Sequence, residues 1–213
     1  IHRDVPAGTS ATKWTFGTRL FIPGSQVVSY NTICCWREGD AAGAPSTEFT
    51  ISLSDATREI QIYQDVGGTF PINVATAAVL PPDQWIDLVV HYDSANATEA
   101  SRLIVYVDEV RQTLSGTLPP QNQSSWGATT VPDPHIVLSG YSLDGDGTYS
   151  SLHAYADTLF FSGRIVPPAA CHDYIGTYNT TDWHLRYLTS SVGTDSSGNG
   201  YDFTAAGTGL WLE

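Results

Sequence analysis

The stretch RLIVYVDEVRQTL (102–114) alternates with period two, so that Leu103, Val105 and Val107 fall on one face of an extended segment. Asp108 and Glu109 interrupt the alternation, which predicts a tight hairpin tip. Just upstream, QWIDLVVHYD (84–93) predicts another strand, with Trp85, Leu88, Val89 and Val90 needing burial. The polar loop SANATEAS (94–101) joins the two. Two strands framing one loop make a local antiparallel unit.

The same pattern recurs along the chain. ATKWTFGTRLFIP (11–23) turns Trp14, Phe16 and Leu20 toward a core, and SQVVSYNTICCWREG (25–39) follows as a strand. STEFTISLSD (46–55) alternates Phe49, Ile51 and Leu53. REIQIYQD (58–65) answers with Ile60 and Ile62 across the compact turn SDAT, a predicted hairpin. Residues 70–83 are partly strand and end at Pro81-Pro82. Residues 116–133 read as a long loop, kept off any central ladder by its prolines. A strand at 135–140, a Gly/Asp turn at 144–147 and a strand run from Tyr149 to Phe161 come next. SGRIVPPAACHDYIG (162–176) is the one predicted short helix. A strand, a Gly/Asp/Asn/Ser loop and a short strand occupy 181–207. With about ten to fourteen short strands and dry faces to cover, the predicted class is all-β, a two-sheet antiparallel β-sandwich. A closed barrel is the alternative.

Composition agrees. The 213 residues include 19 glycines, 12 prolines, 11 tyrosines, 7 phenylalanines and 6 tryptophans, a mixture that suits short strands and turns. No repeat or linker divides the chain, so residues 1–213 are expected to form one domain. Residues 169–213 are expected to be a C-terminal extension packing back on the sandwich. Acidic residues number 22 against 9 basic ones, a net charge of −13. That balance argues against nucleic acid, which needs clustered Lys and Arg, and against an anionic membrane surface. No segment approaches the ~20 apolar residues of a membrane span. The chain begins at Ile1 and contains no methionine, which predicts a processed product or a fragment. Three cysteines, at 34, 35 and 171, cannot all pair internally. Adjacent Cys34 and Cys35 are too close for a relaxed mutual disulfide. Buried free thiols are the main expectation, and a bridge from Cys171 to either is the alternative.

W-x-D-L-V-V-H-Y-D (85–93), its polar loop and RLIVYVDEVRQT (102–113) resemble the laminin-G-like form of the concanavalin A-like lectin/glucanase sandwich. TLSGTLPPQNQSSW (113–126), YADTLFFSGRIVPP (155–168), IGTYNTTDWHLRYL (175–188) and DSSGNGYDFTAAG (195–207) resemble, in the same order, structural proteins of marine tailed phages. The usual Asp-Gly turn is Asp108-Glu109 here, and the family's aromatic strand reads TLFFSG (158–163). The resemblance implies a concanavalin A-like jelly roll on a virion surface, extracellular when mature. It implies a non-enzymatic capsid or tail appendage or decoration component that contacts host-surface glycan. Its implied partners are other virion proteins and copies of itself.

Six tryptophans invite a sugar site, because an exposed indole stacks on the C–H face of a sugar ring. Trp126 is the first candidate, in the polar loop QNQSSWGATT, with Asn122 and Gln123 beside it. Tyr141 and Tyr149 are expected to flank a second site beside Asp144. Trp14, Trp85 and Trp183 lie in apolar strand patterns and are expected in the core. In LDGDGTY (143–149), Asp144 and Asp146 are spaced to offer oxygens to Ca²⁺, although Asp-Gly also forms ordinary turns and the full EF-hand pattern is missing. No other cofactor is expected. DSSGNG (195–200) carries the same choice between Asx turns and metal.

Glucanases and polysaccharide lyases share this architecture. The paired carboxylates of a retaining glucanase need to lie ~5 Å apart, and the Glu-x-Asp-x-x-Glu strand that supplies them is absent. Arg58, Glu59, Gln61 and Tyr63 alternate between faces. His184 and Arg186 share a face but lack an identified base or nucleophile. The expected role is therefore binding. The alternatives are a carbohydrate-binding module of a host-adhesion protein and a lyase or hydrolase.

Overall fold

The computed structural model describes residues 2–4, 10–24, 31–37, 47–54, 57–126, 135–138, 155–169 and 183–186. Its strands are β1 (His2–Asp4), β2 (Lys13–Phe21), β3 (Asn31–Arg37), β4 (Thr47–Leu53), β5 (Ile60–Val66), β6 (Thr69–Thr76) and β7 (Trp85–Asp93). They continue as β8 (Leu103–Val107), β9 (Val110–Arg111), β10 (Leu114–Thr117), β11 (His135–Leu138), β12 (Tyr155–Ser162) and β13 (Trp183–Arg186). One sheet has the order β1-β11-β3-β4-β5-β6-β10 and the other β13-β12-β2-β7-β8-β9. All the pairs are antiparallel. The architecture is the predicted all-β sandwich.

Alternation explains the layers. In β2 and β7 the paired positions Trp14–Tyr92, Phe16–Val90, Thr18–Leu88 and Leu20–Ile86 face inward. From the opposite sheet, Trp36, Phe49, Ile51 and Ile62 meet them. Trp14 stacks on Trp36 at 4.6 Å between ring centroids and on Tyr92 at 5.1 Å, while Phe49 meets Trp14 edge-on at 5.4 Å. Such pairs add about 0.5–1.5 kcal/mol each beyond their area burial. The predicted hairpin of β4 and β5 pairs in register from Thr47–Val66 to Leu53–Ile60.

The hairpin tip at 108–109 joins β8 to β9 through the pair Val107–Val110. Asp108 and Glu109 have φ of 48° and 64°. Two left-handed central residues are what a type I′ hairpin turn requires, and they match the twist of the flanking strands. Asp108 holds the turn in place, because its Oδ1 accepts the Asp87 N–H at 2.9 Å.

Two expectations change. Residues 114–117 open the predicted loop as an edge strand, β10, paired with β6. Trp85, expected in the core, is 43% exposed on the outer face of its sheet. As expected, Cys34 and Cys35 are both buried, Cys34 as a free thiol. Burial pushes the Cys34 thiol well up, with a backbone hydrogen bond opposing it, which keeps the sulfur neutral and inert. Of the predicted helix at 162–176, residues 162–169 are described and only 168–169 are helical, while the rest, with Cys171, lies outside the described residues. Of residues 169–213, the described segment 183–186 adds β13 at the edge of the second sheet, against β12.

Candidate functional site

The outer face of the β2–β7–β12 sheet divides into a covered half and an open half. In the covered half, Val89, Phe160 and Val166 form a small second cluster with Tyr106 against it. Residues 164–166 are tied down across it. Thr15 Oγ1 donates to the Arg164 carbonyl at 2.8 Å and accepts the Val166 N–H at 3.0 Å. His91 Nε2 lies 2.7 Å from the Val166 carbonyl, which makes that nitrogen the protonated one. Burial lowers the His91 pKa, the carbonyl contact opposes the shift, and Tyr106 packs against the ring at 5.0 Å.

The open half starts where that strap ends. The register places Phe21 opposite Trp85 and, one same-face step away, Arg19 opposite Asp87. Phe21 packs against the Trp85 ring at 5.7 Å, tilted by 58°. The Arg19 guanidinium lies 5.6 Å from the Trp85 ring centroid, and its Nε is 3.8 Å from Asp87 Oδ1. A cation over an indole and a facing carboxylate fix both side chains. Neighbouring positions on this face are about 5 Å apart across strands and about 7 Å apart along them, room for one sugar ring. An aromatic surface beside an orientable donor and acceptor is the usual equipment of a binding site.

The sequence-predicted site residues that are described, Trp126, Asn122 and Gln123, fall elsewhere. Trp126 is only 5% exposed and belongs to the main core, so its indole has no open face for a sugar. Its loop is a plug. Gln123 Nε2 donates to Gln64 Oε1 at 2.9 Å, and Gln64 Nε2 donates to the Ser124 carbonyl at 2.6 Å. Tyr92 OH donates to the Gln123 carbonyl at 2.8 Å, and burial pushes that phenol well up, against a smaller opposing effect of Ser94. The Gln123 amide is therefore spent inside the protein. Asn122 is exposed at a turn position with φ of 61°. Tyr141, Tyr149, Asp144 and Asp146 lie outside the described residues, as does the 195–200 loop.

Of the residues considered for catalysis, Arg58 donates to the carbonyls of Leu80 and Ile22, at 3.0 and 3.5 Å, and braces a loop. His184 and Arg186 are placed only as backbone positions on β13. Among the described residues no group of three or more His, Cys, Asp or Glu could hold a metal ion. Among them too, no helix is long and apolar enough to cross a membrane.

No family model and no curated protein matches the sequence. Solved structures do match the backbone. The carbohydrate-binding module CBM40 of the Ruminococcus gnavus IT-sialidase superposes with a TM-score of 0.54 at 8% identity, covering 82% of this chain and 92% of that one. The fold is a lectin-like jelly roll. A candidate carbohydrate-binding protein from Bacteroides ovatus gives a TM-score of 0.55 at 11% identity, over 94% of this chain and 54% of that one. The native heptameric SAP-like pentraxin of Limulus polyphemus gives 0.52 at 9% identity, over 83% and 75%. At such identities the likeness is one of architecture, and any binding site must be read from this chain's own side chains.

Trp85 was legible after all. Trp85, Asp87 and His91 share one parity, while Ile86, Leu88, Val90 and Tyr92 share the other. The apolar set is the even one, which leaves the indole on the polar side.

Proposed function

We propose that this domain is a non-catalytic carbohydrate-binding module that holds glycan on the open outer face carrying Trp85. One observation carries the reading: a tryptophan 43% exposed, braced by Phe21 and Arg19, on a jelly roll shared with carbohydrate-binding proteins. Catalysis is not part of the proposal; of the residues considered for it, Arg58 braces a loop. The test is a glycan array followed by titration calorimetry, comparing the native chain with Trp85→Ala. Truncating a central tryptophan costs at least about 2 kcal/mol of binding, or roughly 30-fold in affinity. An unchanged affinity would sink the site. Running the titration with Ca²⁺ and with chelator tests Asp144 and Asp146, whose occupation would make binding depend on the ion.

The setting we propose is a tailed-phage virion surface, with the module borne on a head or tail appendage and repeated by self-assembly. The support is the order of the four sequence segments between 113 and 207, which resembles such proteins. Labelling of this chain on intact particles tests it, and failure to find the chain there would remove the setting while leaving the module.

A further inference from the structure

We infer that the Trp85 face selects neutral glycans and rejects carboxylated ones. This rests on the glycan-binding reading and adds a substrate class to it. The charges around the indole decide the matter. Asp87 lies on the same face, one step along β7, and Asp83 stands two residues before Trp85. Asp83 is exposed in a left-handed turn with φ of 57°, its Oδ1 accepting the Gly24 N–H at 2.8 Å. Asp108 is bonded to the Asp87 backbone, and exposed Glu109 follows it at the hairpin tip.

The cations nearby are committed. Arg19 stands against Asp87, and Arg58 is spent on the Leu80 and Ile22 carbonyls. Arg111 lies further out on β9 and reaches away to the Ala100 carbonyl at 2.6 Å. Among the described residues four carboxylates thus face two arginines, Arg19 and Arg58, around the platform, within a chain of net charge −13. The excess negative charge lies within about one screening length of a docked ring. A sialate or uronate carboxylate placed there is repelled, and among the described residues no uncommitted guanidinium is at hand to clamp it. A neutral hexose needs no such clamp: its hydroxyls donate to Asp87 while its C–H face lies on the indole.

The experiment uses an array of matched glycan pairs, each member with and without a sialic or uronic acid, followed by titration of the best pair. Neutral members should bind at least about tenfold more tightly near physiological salt, and the gap should narrow toward about 0.5 M salt as screening grows. Glu109→Gln should narrow it as well, without the loss of neutral binding expected of Trp85→Ala. Equal or tighter binding of carboxylated members overturns the selectivity while leaving a glycan-binding module. Binding to no member of any pair overturns the selectivity and the module together.

Discussion

Ser125 carries an energetic role that a single atom can test. Its Oγ lies 2.8 Å from Trp14 Nε1 across 111 residues of sequence, and both residues are fully buried. Ser125→Ala strands the indole N–H where water cannot reach it. An orphaned buried donor costs about 1–3 kcal/mol. Little else should be lost. The Ala11 carbonyl, which also receives the Ser125 hydroxyl, keeps the Ser125 backbone N–H at 2.8 Å. Trp14→Phe removes the donor itself and costs about 1–3 kcal/mol on its own account through lost volume. In that background Ser125→Ala should cost less than about 0.5 kcal/mol, because no donor remains to be stranded. The cycle should therefore close with a coupling of about 1–2 kcal/mol. Urea unfolding of the four proteins by far-ultraviolet circular dichroism measures it, provided the slope with denaturant is unchanged. Additive costs, within about 0.5 kcal/mol, would refute the claim that this hydrogen bond ties the loop plug to the core.

Trp126→Ala should destabilise the fold by about 3–5 kcal/mol, whereas glycan affinity per folded molecule should persist; Trp126→Phe provides a milder version if alanine prevents folding. Glu109→Gly should stabilise by about 0.5–1 kcal/mol, because glycine adopts the left-handed conformation at 109 without strain, and thermal melts read the gain. His91 should make stability fall as pH drops below its ordinary value of 6.5. Burial depresses the folded-state pKa, so the unfolded chain takes up the proton first and the native state loses ground until its own pKa is passed. Melts between pH 7.5 and 5.5 should show this fall in the native chain and not in His91→Gln.

Much of the sandwich was readable because one dry face per strand writes itself as alternation. Phe49, Ile51 and Leu53, or Leu103 and Val105, have no other reason to recur every second residue. Alternation is silent on whether the second face of a strand is covered too. Every residue of β4 is buried, including Glu48, which accepts from Thr50 Oγ1 at 2.7 Å. No one-dimensional pattern announces that cover. The exposure of Trp126 was misjudged for a related reason. Trp126 sits among polar residues and looked exposed, yet Gln64, Ser94 and Tyr92 draw its loop into the end of the sandwich. Those partners lie about 30 to 60 residues away. Trp85 was judged by its apolar neighbours, although its parity put it with Asp87. Composition reports how much aromatic surface a chain owns, and only strand register tells which rings stay wet.

The partners of β2 set a condition on biosynthesis. Strand 13–21 is flanked by 85–93 on one side and by 155–162 on the other. The early hairpins at 47–76 can zip by themselves, each closing a short loop. The second layer has to wait, because its third strand is the last of the three to leave the ribosome. Until residue 162 emerges, Phe16 lacks its partner Phe161, and that border of β2 offers unpaired amides to other chains. A nascent chain stalled before that point is thus a candidate for aggregation, and the emergence of 155–162 is itself the step that covers this border of the sheet.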